Sequence, residues 1–138
     1  MLVARKLTLD ERLRGVDTQV RSGQVTAICG PNGAGKSTLI RLFAGVLSPS
    51  YGEVLLDGER TADIHPRVRA RALGYLPQEP QIAWDLSVRN LVSLGRLAHG
   101  DTHAEPVEAA LEAMDLHDFA QRPVSTLSGG ERARALLA

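Results

Sequence analysis

Several features that would assign a protein to a broad class are scarce or missing in this sequence. Its 138 residues include one cysteine, Cys29, which excludes an internal disulfide and is typical of a reducing compartment. Sixteen basic and sixteen acidic side chains cancel, so no net charge attracts the chain to nucleic acid. No apolar run reaches the roughly 18 residues of a membrane helix, and the first residues are not typical of a signal peptide. The remaining composition, 43% hydrophobic and 23% charged, predicts one globular domain.

Lysine and aromatic residues are also rare, which draws attention to the few that are present. Only Lys6 and Lys36 are lysines, and no aromatic residue precedes Phe43. The histidines lack the paired spacing of metal ligands, so we expect them at the surface: His65, His99, His103 and His117.

The apolar pattern predicts strands early in the chain and helices later. In chain order we expect strands within residues 2–20, 25–29, 53–58 and 73–76, and helices at about 36–44, 65–72 and from 86 onwards, with a linker at 101–103. Val25–Cys29 is an almost unbroken apolar run, which favours a strand buried on both faces of a parallel sheet. Cys29 is then expected to be a small core residue.

A glycine-rich loop lies between a predicted strand and a predicted helix. Its sequence, Gly30–Thr38, fits the pattern G-x-x-x-x-G-K-[ST] of the P-loop. Glycines let consecutive N–H groups point at a phosphate, and the helix N-terminus adds its partial positive charge. Lys36 is expected to reach the β- and γ-phosphates, Ser37 to ligate Mg²⁺, and Thr38 to bond a phosphate oxygen. The loop therefore predicts nucleoside triphosphate binding by Gly30, Pro31, Asn32, Gly33, Ala34, Gly35, Lys36, Ser37 and Thr38.

A second pair of glycines lies in Leu127-Ser-Gly-Gly-Glu131. With this motif added to the P-loop, the sequence resembles the ABC ATPases, whose signature motif is LSGGE or a near variant. Gln78 lies between the two motifs, in the position of the family's Q-loop glutamine. The resemblance covers nearly the whole chain, in the family's order and at compatible spacing. It implies that the signature residues act in trans on the ATP of a partner: Leu127, Ser128, Gly129, Gly130 and Glu131.

The resemblance also implies a fold, cofactors and a location. The fold is α/β, a P-loop NTPase core of the ABC ATPase type with an antiparallel β piece and a helical subdomain. The single expected domain, 1–138, divides into P-loop core and β piece (1–85), helical subdomain (86–126), and signature motif with its helix (127–138). ATP and Mg²⁺ are the implied cofactors, with Ser37 and Gln78 on the metal. The implied location is cytoplasmic, peripheral on the inner face of the cell membrane.

Three segments look like those of importers of haem, iron–siderophore complexes or cobalamin: Leu76–Gln78, Ala83-Trp84 and Leu91–Arg96. In such systems an ATPase subunit couples ATP binding and hydrolysis to uptake. The implied partners are transmembrane permease subunits, a second protomer in a head-to-tail dimer and, indirectly, a periplasmic binding protein, but no nucleic acid. Trp84 is expected either at the permease-docking surface or in the core of the helical subdomain.

The sequence departs from the family in two places. The aromatic residue on which the family stacks adenine is missing before the P-loop. After the signature helix the family has a strand ending in Asp-Glu and then a switch histidine, and neither follows Ala138, so no catalytic residue is expected here. Asp57 superficially copies that aspartate, but Gly58 after it predicts a hairpin turn. We interpret the chain as the N-terminal part of an ABC ATPase, truncated after the signature motif.

Two alternative functions stay open at this point. One is a non-hydrolysing nucleotide-binding fragment, because the acidic pair is missing. The other is a non-transport ABC ATPase of the DNA-repair type. Those proteins carry a long coiled coil between the glutamine and the signature, whereas 48 residues without heptads separate Gln78 from Leu127 here.

Overall fold

The computed structural model describes residues 1–78, 80, 82 and 84–138. These residues form two compact units, Met1–Tyr75 and Leu76–Ala138. The first unit consists of β1 (Leu2–Leu9), β2 (Leu13–Val20), α1 (Lys36–Phe43), β3 (Tyr51–Leu56), β4 (Glu59–Arg60) and α2 (Pro66–Ala72). The second contains α3 (Val88–Ser93), α4 (Ala104–Ala113) and α5 (Gly129–Leu137), with short 3-10 turns at Leu94–Ala98, His117–Phe119 and Val124–Thr126.

An antiparallel sheet of order β2-β1-β3-β4 organises the first unit. The two strands predicted within residues 2–20 are confirmed as β1 and β2, and Arg12 N donates to Leu9 O at 3.0 Å across the turn between them. The hairpin predicted at Asp57-Gly58 is confirmed as well. Both residues have positive φ, 50° and 93°, as a type I′ turn requires.

The helix α1 covers one face of this sheet, and its extent agrees with the predicted 36–44. It contributes Leu39, Leu42 and Phe43 to the core, where they meet side chains of all three long strands, including Ala4, Leu7, Leu13 and Val54. Ile40, predicted on the same apolar face, is 42% exposed because it lies about 100° around the helix from Leu39. Gly45 follows the helix with φ 68°, the left-handed conformation that commonly ends a helix.

Two of the predicted strands are wrong. Residues 25–29 and 73–76 form no strand, and neither segment takes part in a β-ladder with the residues that the structure describes. Val25 and Cys29 are both exposed, so the expectation of a core cysteine is wrong too. An apolar run becomes a buried strand only when neighbouring strands satisfy its backbone on both sides, and those neighbours are a long-range property.

The second unit is helical, as predicted from residue 86 onwards. Its core is formed by Val88, Val92, Val107, Leu111 and Leu116, with Ala120, Val124 and Ala135 around them. The chain closes on itself through backbone bonds: Val88 N donates to Arg122 O at 3.0 Å, and Val124 N donates to Leu86 O at 2.8 Å. Ser87 caps α3, its Oγ accepting from Asn90 N at 3.2 Å.

The linker predicted at 101–103 is confirmed and is fastened by an ion pair. Arg96 Nη2 lies 2.6 Å from Asp101 Oδ2, and Arg96 Nε donates to Asp101 Oδ1 at 3.0 Å. The hydrogen bonds from Arg96 lower the pKa of Asp101 to about 2. All four histidines are exposed, as expected. The longest helix among the described residues has ten residues, and none is long and apolar enough to cross a membrane.

Candidate nucleotide-binding site

The P-loop residues Gly30–Thr38 lead directly into α1. The helix begins at Lys36, and its N-cap is Gly35, which has φ 82° and ψ 8°. Because glycine has no side chain, the first N–H groups of the helix have no side-chain cap. Gly33 has a similar φ of 83°. The first turn of α1 contains no acidic residue. The helix start is thus free of competing carboxylates, which favours an anion there.

Gly35 is the position where the fold of the loop demands glycine. A Cβ on this residue would lie 2.5 Å from the carbonyl oxygen of Arg12 and 2.9 Å from Cδ1 of Leu13. The positive φ adds strain for any other residue. The turn between β1 and β2 therefore lies directly against the end of the P-loop, a contact that the sequence did not suggest.

Lys36 is bonded within the loop itself. Its Nζ donates to the carbonyl oxygens of Gly30, at 2.8 Å, and Pro31, at 2.7 Å. The loop backbone also closes on itself, since Ala34 N donates to Pro31 O at 3.3 Å. The amine is thereby held over the loop, with a third donor position available to an anion.

The donor set fits a polyphosphate. Glycine backbone, a helix start without acid and a lysine amine are groups that bind phosphate oxygens. The Ser37 hydroxyl is exposed at the first turn, where it could reach a Mg²⁺ carried by such a phosphate. No group of three or more histidine, cysteine, aspartate or glutamate side chains that could hold a metal exists within residues 1–78, 80, 82 and 84–138. Within Gly30–Thr38 the oxygen-bearing side chains that could contact Mg²⁺ are neutral.

Gln78 and Trp84 belong to the second unit. Gln78 is exposed in a bend just after Pro77, without the preceding strand that was predicted. Trp84 is 74% exposed, so its expected alternative place in the helical core is wrong. It lines an open cavity of about 220 Å³ together with Ile82, Val124 and Arg132. Ala83, the other residue of the predicted Ala83-Trp84 segment, lies outside the described residues.

The signature residues form the start of α5. Ser128 is the N-cap, with φ −62° and ψ 163°, and its Oγ accepts from Glu131 N at 3.3 Å. Glu131 reciprocates, its Oε2 accepting from Ser128 N at 2.7 Å. This is a capping box, and the sequence pattern S-x-x-E at 128–131 could have revealed it. Leu127 is half-buried and packs on the helical core.

The two signature glycines are not required by the fold of this unit. Neither Gly129 nor Gly130 has a positive φ, and a Cβ on either would meet no atom within 4 Å. Glu131, by contrast, has a bonded side chain, since its Oε2 accepts from Ser128 N. The hydrogen bonds from the Ser128 N–H and the Ser128 side chain lower the pKa of Glu131. The N-terminus of α5 therefore combines two glycines, Gly129 and Gly130, with a glutamate whose carboxylate is hydrogen-bonded to the cap.

Asp57 does not take part in the P-loop. It occupies the turn between β3 and β4, as the glycine after it predicted, and its carboxylate pairs with the N-terminal amine of Met1. The side chain is 74% exposed.

The described architecture, an antiparallel β piece with a P-loop helix and a helical unit, is that of an ATP-binding cassette. A family profile described as ABC transporter matches residues 13–138, and the chain belongs to this family. The hemin import ATP-binding protein HmuV of Pseudomonas entomophila is 46% identical over 134 residues, covering 93% of this chain and 51% of that protein. The cobalamin import ATP-binding protein BtuD of Halobacterium salinarum is 37% identical over 131 residues, covering 91% of this chain and 33% of that protein.

A solved structure agrees with these relatives. The ATP binding subunit of an ABC transporter superposes with a TM-score of 0.83 at 26% identity, covering 99% of this chain and 59% of that one. The predicted fold class and the predicted family, with its likeness to haem and cobalamin importers, are confirmed. The chain spans about half the length of the hemin import relatives that it matches.

Proposed function

We propose that this chain is the nucleotide-binding part of an ABC importer ATPase that binds ATP with Mg²⁺ at Gly30–Thr38. The observation that carries the proposal is the start of α1, which has a glycine N-cap, no acidic residue in its first turn, and Lys36 held over the loop. The loop N–H groups and the Lys36 amine bind the β- and γ-phosphates. Ser37 and, from the Q-loop, Gln78 supply neutral oxygen ligands to the metal. Within the domain, residues 1–85 carry the core, 86–126 the helical subdomain and 127–138 the signature.

The signature glycines favour a role in trans. Glycine at the start of α5 lowers helix stability by roughly 0.5–1 kcal/mol relative to alanine, and nothing inside the second unit needs it at 129 or 130. Because glycine has no side chain, the backbone at Gly129 and Gly130 can be approached closely by a ligand or by another protein chain. We propose that Ser128, Gly129 and Gly130 donate to the γ-phosphate bound by the P-loop of a second, head-to-tail protomer. Ser128 can turn its hydroxyl from Glu131 to that phosphate.

A mixed dimer tests the arrangement in trans. One protomer carries Lys36→Ala and the other Ser128→Arg. If the signature acts across the interface, both lesions fall in one composite site and the other site keeps all its groups, so ATP still drives dimerisation with one tightly held nucleotide. Dimers of each single variant with itself are the controls and carry a lesion in both sites. Loss of binding at both sites of the mixed dimer would contradict the proposal.

Transport is proposed from the relatives that import haem and cobalamin. In this role the protein docks on permease subunits at the inner face of the membrane and drives uptake of a haem, iron–siderophore or cobalamin-type cargo from a periplasmic binding protein. Trp84 is proposed as part of the docking surface because it is an exposed indole beside an open cavity.

Reconstitution tests the docking role. The protein is co-purified with membrane subunits, and ATP-driven uptake of haem and of cobalamin is measured in proteoliposomes. Trp84→Ala should lower co-purification several-fold, whereas Tyr51→Ala, which removes another exposed aromatic side chain in the first unit, should not. Absence of any co-purifying membrane protein, together with no uptake of either cargo, would exclude an importer.

One observation favours a second candidate, a nucleotide-binding unit without turnover. Neither Gly30–Thr38 nor the first turn of α1 contains an acidic residue that would polarise an attacking water, and Asp57 is bonded to the N-terminus. Phosphoryl transfer needs such a positioned water as well as a phosphate cradle. Residues 1–138 alone are expected to bind ATP and to release no phosphate. Steady phosphate release that Lys36→Ala abolishes would rule this candidate out.

A further inference from the structure

The antiparallel sheet of the first unit carries an open groove that the proposed function does not use. The groove has a volume of about 600 Å³, which is within the range of sites for small organic ligands. Arg5 and Glu53 lie on the face of the sheet opposite α1, because side chains alternate along a strand and their neighbours Ala4 and Val54 are in the core. We call this cavity the sheet groove, and its lining includes Arg5, Lys6, Asp17, Tyr51, Glu53 and Arg60.

A β-bulge in β1 brings two consecutive cationic residues to the sheet groove. Between Ala4 and Leu7, β1 has one more residue than β2, and its pairing with β3 shifts just after Arg5. Lys6 lies in this interval with φ 47°, and its N–H donates to Oδ1 of Asp17 at 2.9 Å. In a regular strand Arg5 and Lys6 would lie on opposite faces. Both border the sheet groove because the bulge interrupts the alternation.

Lysine is an unfavourable residue for the backbone that the bulge imposes at position 6. A left-handed φ is strained for residues other than glycine, asparagine and aspartate. The opposite strand fixes this geometry, since a Cβ on Gly52 would lie 2.3 Å from the carbonyl oxygen of Lys6. Strained residues that the surrounding structure holds in place are concentrated at functional sites. The position of one of the two lysines of the chain at this bulge therefore suggests a binding role.

The Lys6 amine is also the cation of the sheet groove that has no partner. Glu53 lies between the two arginines, with its carboxylate oxygens 3.5 Å from Arg5 Nη1 and 3.4 Å from Arg60 Nε. Arg60 is paired again, with Asp63 at 3.6 Å. Within the described part of the chain, the Lys6 amine makes no ion pair or hydrogen bond. The groove is thus complementary to a single negative charge, whereas a polyphosphate would be repelled by the nearby carboxylates.

Tyr51 adds an aromatic ring to the same groove. Its side chain is 66% exposed, and an aromatic ring pairs favourably with another in offset or edge-to-face contact. We propose that the sheet groove binds an aromatic carboxylate, whose charge pairs with the Lys6 amine and whose ring packs on Tyr51. This site is separate from the proposed triphosphate site at Gly30–Thr38 and does not depend on it.

NMR of backbone amides in the purified protein tests the site with three probes. These are 2-naphthoate, 2-naphthylmethanol, which lacks the charge, and cyclohexanecarboxylate, which lacks the aromatic ring. We expect 2-naphthoate to shift the signals of Lys6, Tyr51 and Gly52 saturably. The other two probes should bind at least about tenfold more weakly, because each lacks one of the two contacts.

Variants of Lys6 link binding to the strained backbone. Lys6→Asn should weaken 2-naphthoate about tenfold and also raise the melting temperature, because asparagine tolerates a left-handed φ. Lys6→Arg keeps the charge and should retain the affinity within about threefold. Arg14→Ala is the matched control, because it removes an exposed cation of β2 from outside the groove lining and should leave 2-naphthoate binding unchanged.

Several outcomes would overturn the inference. Equal binding of 2-naphthoate and 2-naphthylmethanol would mean that apolar contact alone holds the ligand. An unchanged affinity of Lys6→Asn would exclude the amine, and a lower melting temperature of that variant would show that lysine serves stability. If Lys6→Asn does not fold, Lys6→Gln removes the charge alone and must weaken 2-naphthoate as strongly. Shifts confined to Gly30–Thr38 would locate the anion at the P-loop. A protein that bound 2-naphthoate but no ATP would refute the proposed function and leave this inference intact.

Discussion

The helices α1 and α5 both have glycine at their N-termini, but the structural role of the glycine differs between them. At the start of α1 the glycine N-cap has a left-handed backbone, and Gly35 fits only because it lacks a side chain. At the start of α5 the N-cap is a serine in extended conformation, braced by a glutamate, and the two glycines after it have free space around them. Packing against the β1–β2 turn requires glycine at the start of α1. The start of α5 is instead stabilised by the Ser128–Glu131 capping box, and nothing in its unit requires the two glycines.

The difference indicates what each start is for. The N-terminus of α1 has no side-chain cap, so its first backbone N–H groups are free to donate to an anion. Together with the nearby lysine amine, these donors are suited to binding phosphate. The N-terminus of α5 is already stabilised by its capping box, so it does not need a ligand for its stability. It can still accept close approach from outside. The comparison therefore supports the proposal that α1 captures the nucleotide and that α5 recognises a phosphate already held by a partner protomer.

The largest expected effect is the difference between two glycine-to-alanine substitutions, one at the N-terminus of α1 and one at the N-terminus of α5. Gly35→Ala should destabilise the first unit by roughly 2–5 kcal/mol, through its positive φ and its overlap with Arg12, and should abolish ATP binding. Gly129→Ala should leave the free energy of unfolding unchanged or raise it by up to about 1 kcal/mol. Thermal and urea unfolding measure both. Equal destabilisation by the two substitutions would remove the distinction between the two helix starts.

A smaller effect is expected when the lysine of the first start is removed. Lys36→Ala deletes a charge-assisted contact worth roughly 1.5–3 kcal/mol, so the affinity for ATP-Mg²⁺ should fall by more than about tenfold in calorimetry. Lys6→Ala is the matched control, because it removes the only other lysine of the chain, an exposed one on β1. An unchanged affinity of a folded Lys36→Ala variant would refute the P-loop assignment.

The cap of α5 should matter for stability and not for nucleotide capture. Ser128→Ala removes the N-cap acceptor and should lower the free energy of unfolding by about 1 kcal/mol. The affinity of a single protomer for ATP should stay the same, since the proposed phosphate site is at the start of α1. Ser128→Thr keeps the hydroxyl and serves as control. A lower affinity of the monomer for ATP would show that the two starts are not separate in function.

The smallest effect is a dependence of the stability of the second unit on pH. The folded-state pKa values of Glu131 and Asp101 are both lowered, to about 2 for Asp101. Each therefore stabilises the folded chain above the ordinary pKa of its carboxyl group, and this contribution is lost as the pH falls through the folded-state value. Hydrogen exchange between pH 5 and pH 2 should show α5 and the 101–103 linker opening first. Asp101→Asn should flatten the response of the linker, and an unaltered profile in that variant would contradict the assignment.

The sequence predicted those parts of the molecule whose structure is local. The P-loop, the hairpin at Asp57-Gly58 and the extent of α1 depend on backbone preferences and hydrogen bonds over a few residues. The strands predicted at 25–29 and 73–76 were wrong for the opposite reason. Their apolar runs are compatible with strands, but a strand exists only if another segment pairs with it, and no described segment does.

The same division applies to the candidate site. The sequence alone predicted the phosphate-binding residues and the family, because each motif is a fixed spacing of residue types with its own chemistry. The S-x-x-E pattern that caps α5 was also present in the sequence but was not recognised there. Only the tertiary structure placed the β1–β2 turn against Gly35, exposed Trp84, and left open space around Gly129 and Gly130. Those facts depend on which distant segments pack together, and packing between segments far apart in the chain leaves no pattern within either one.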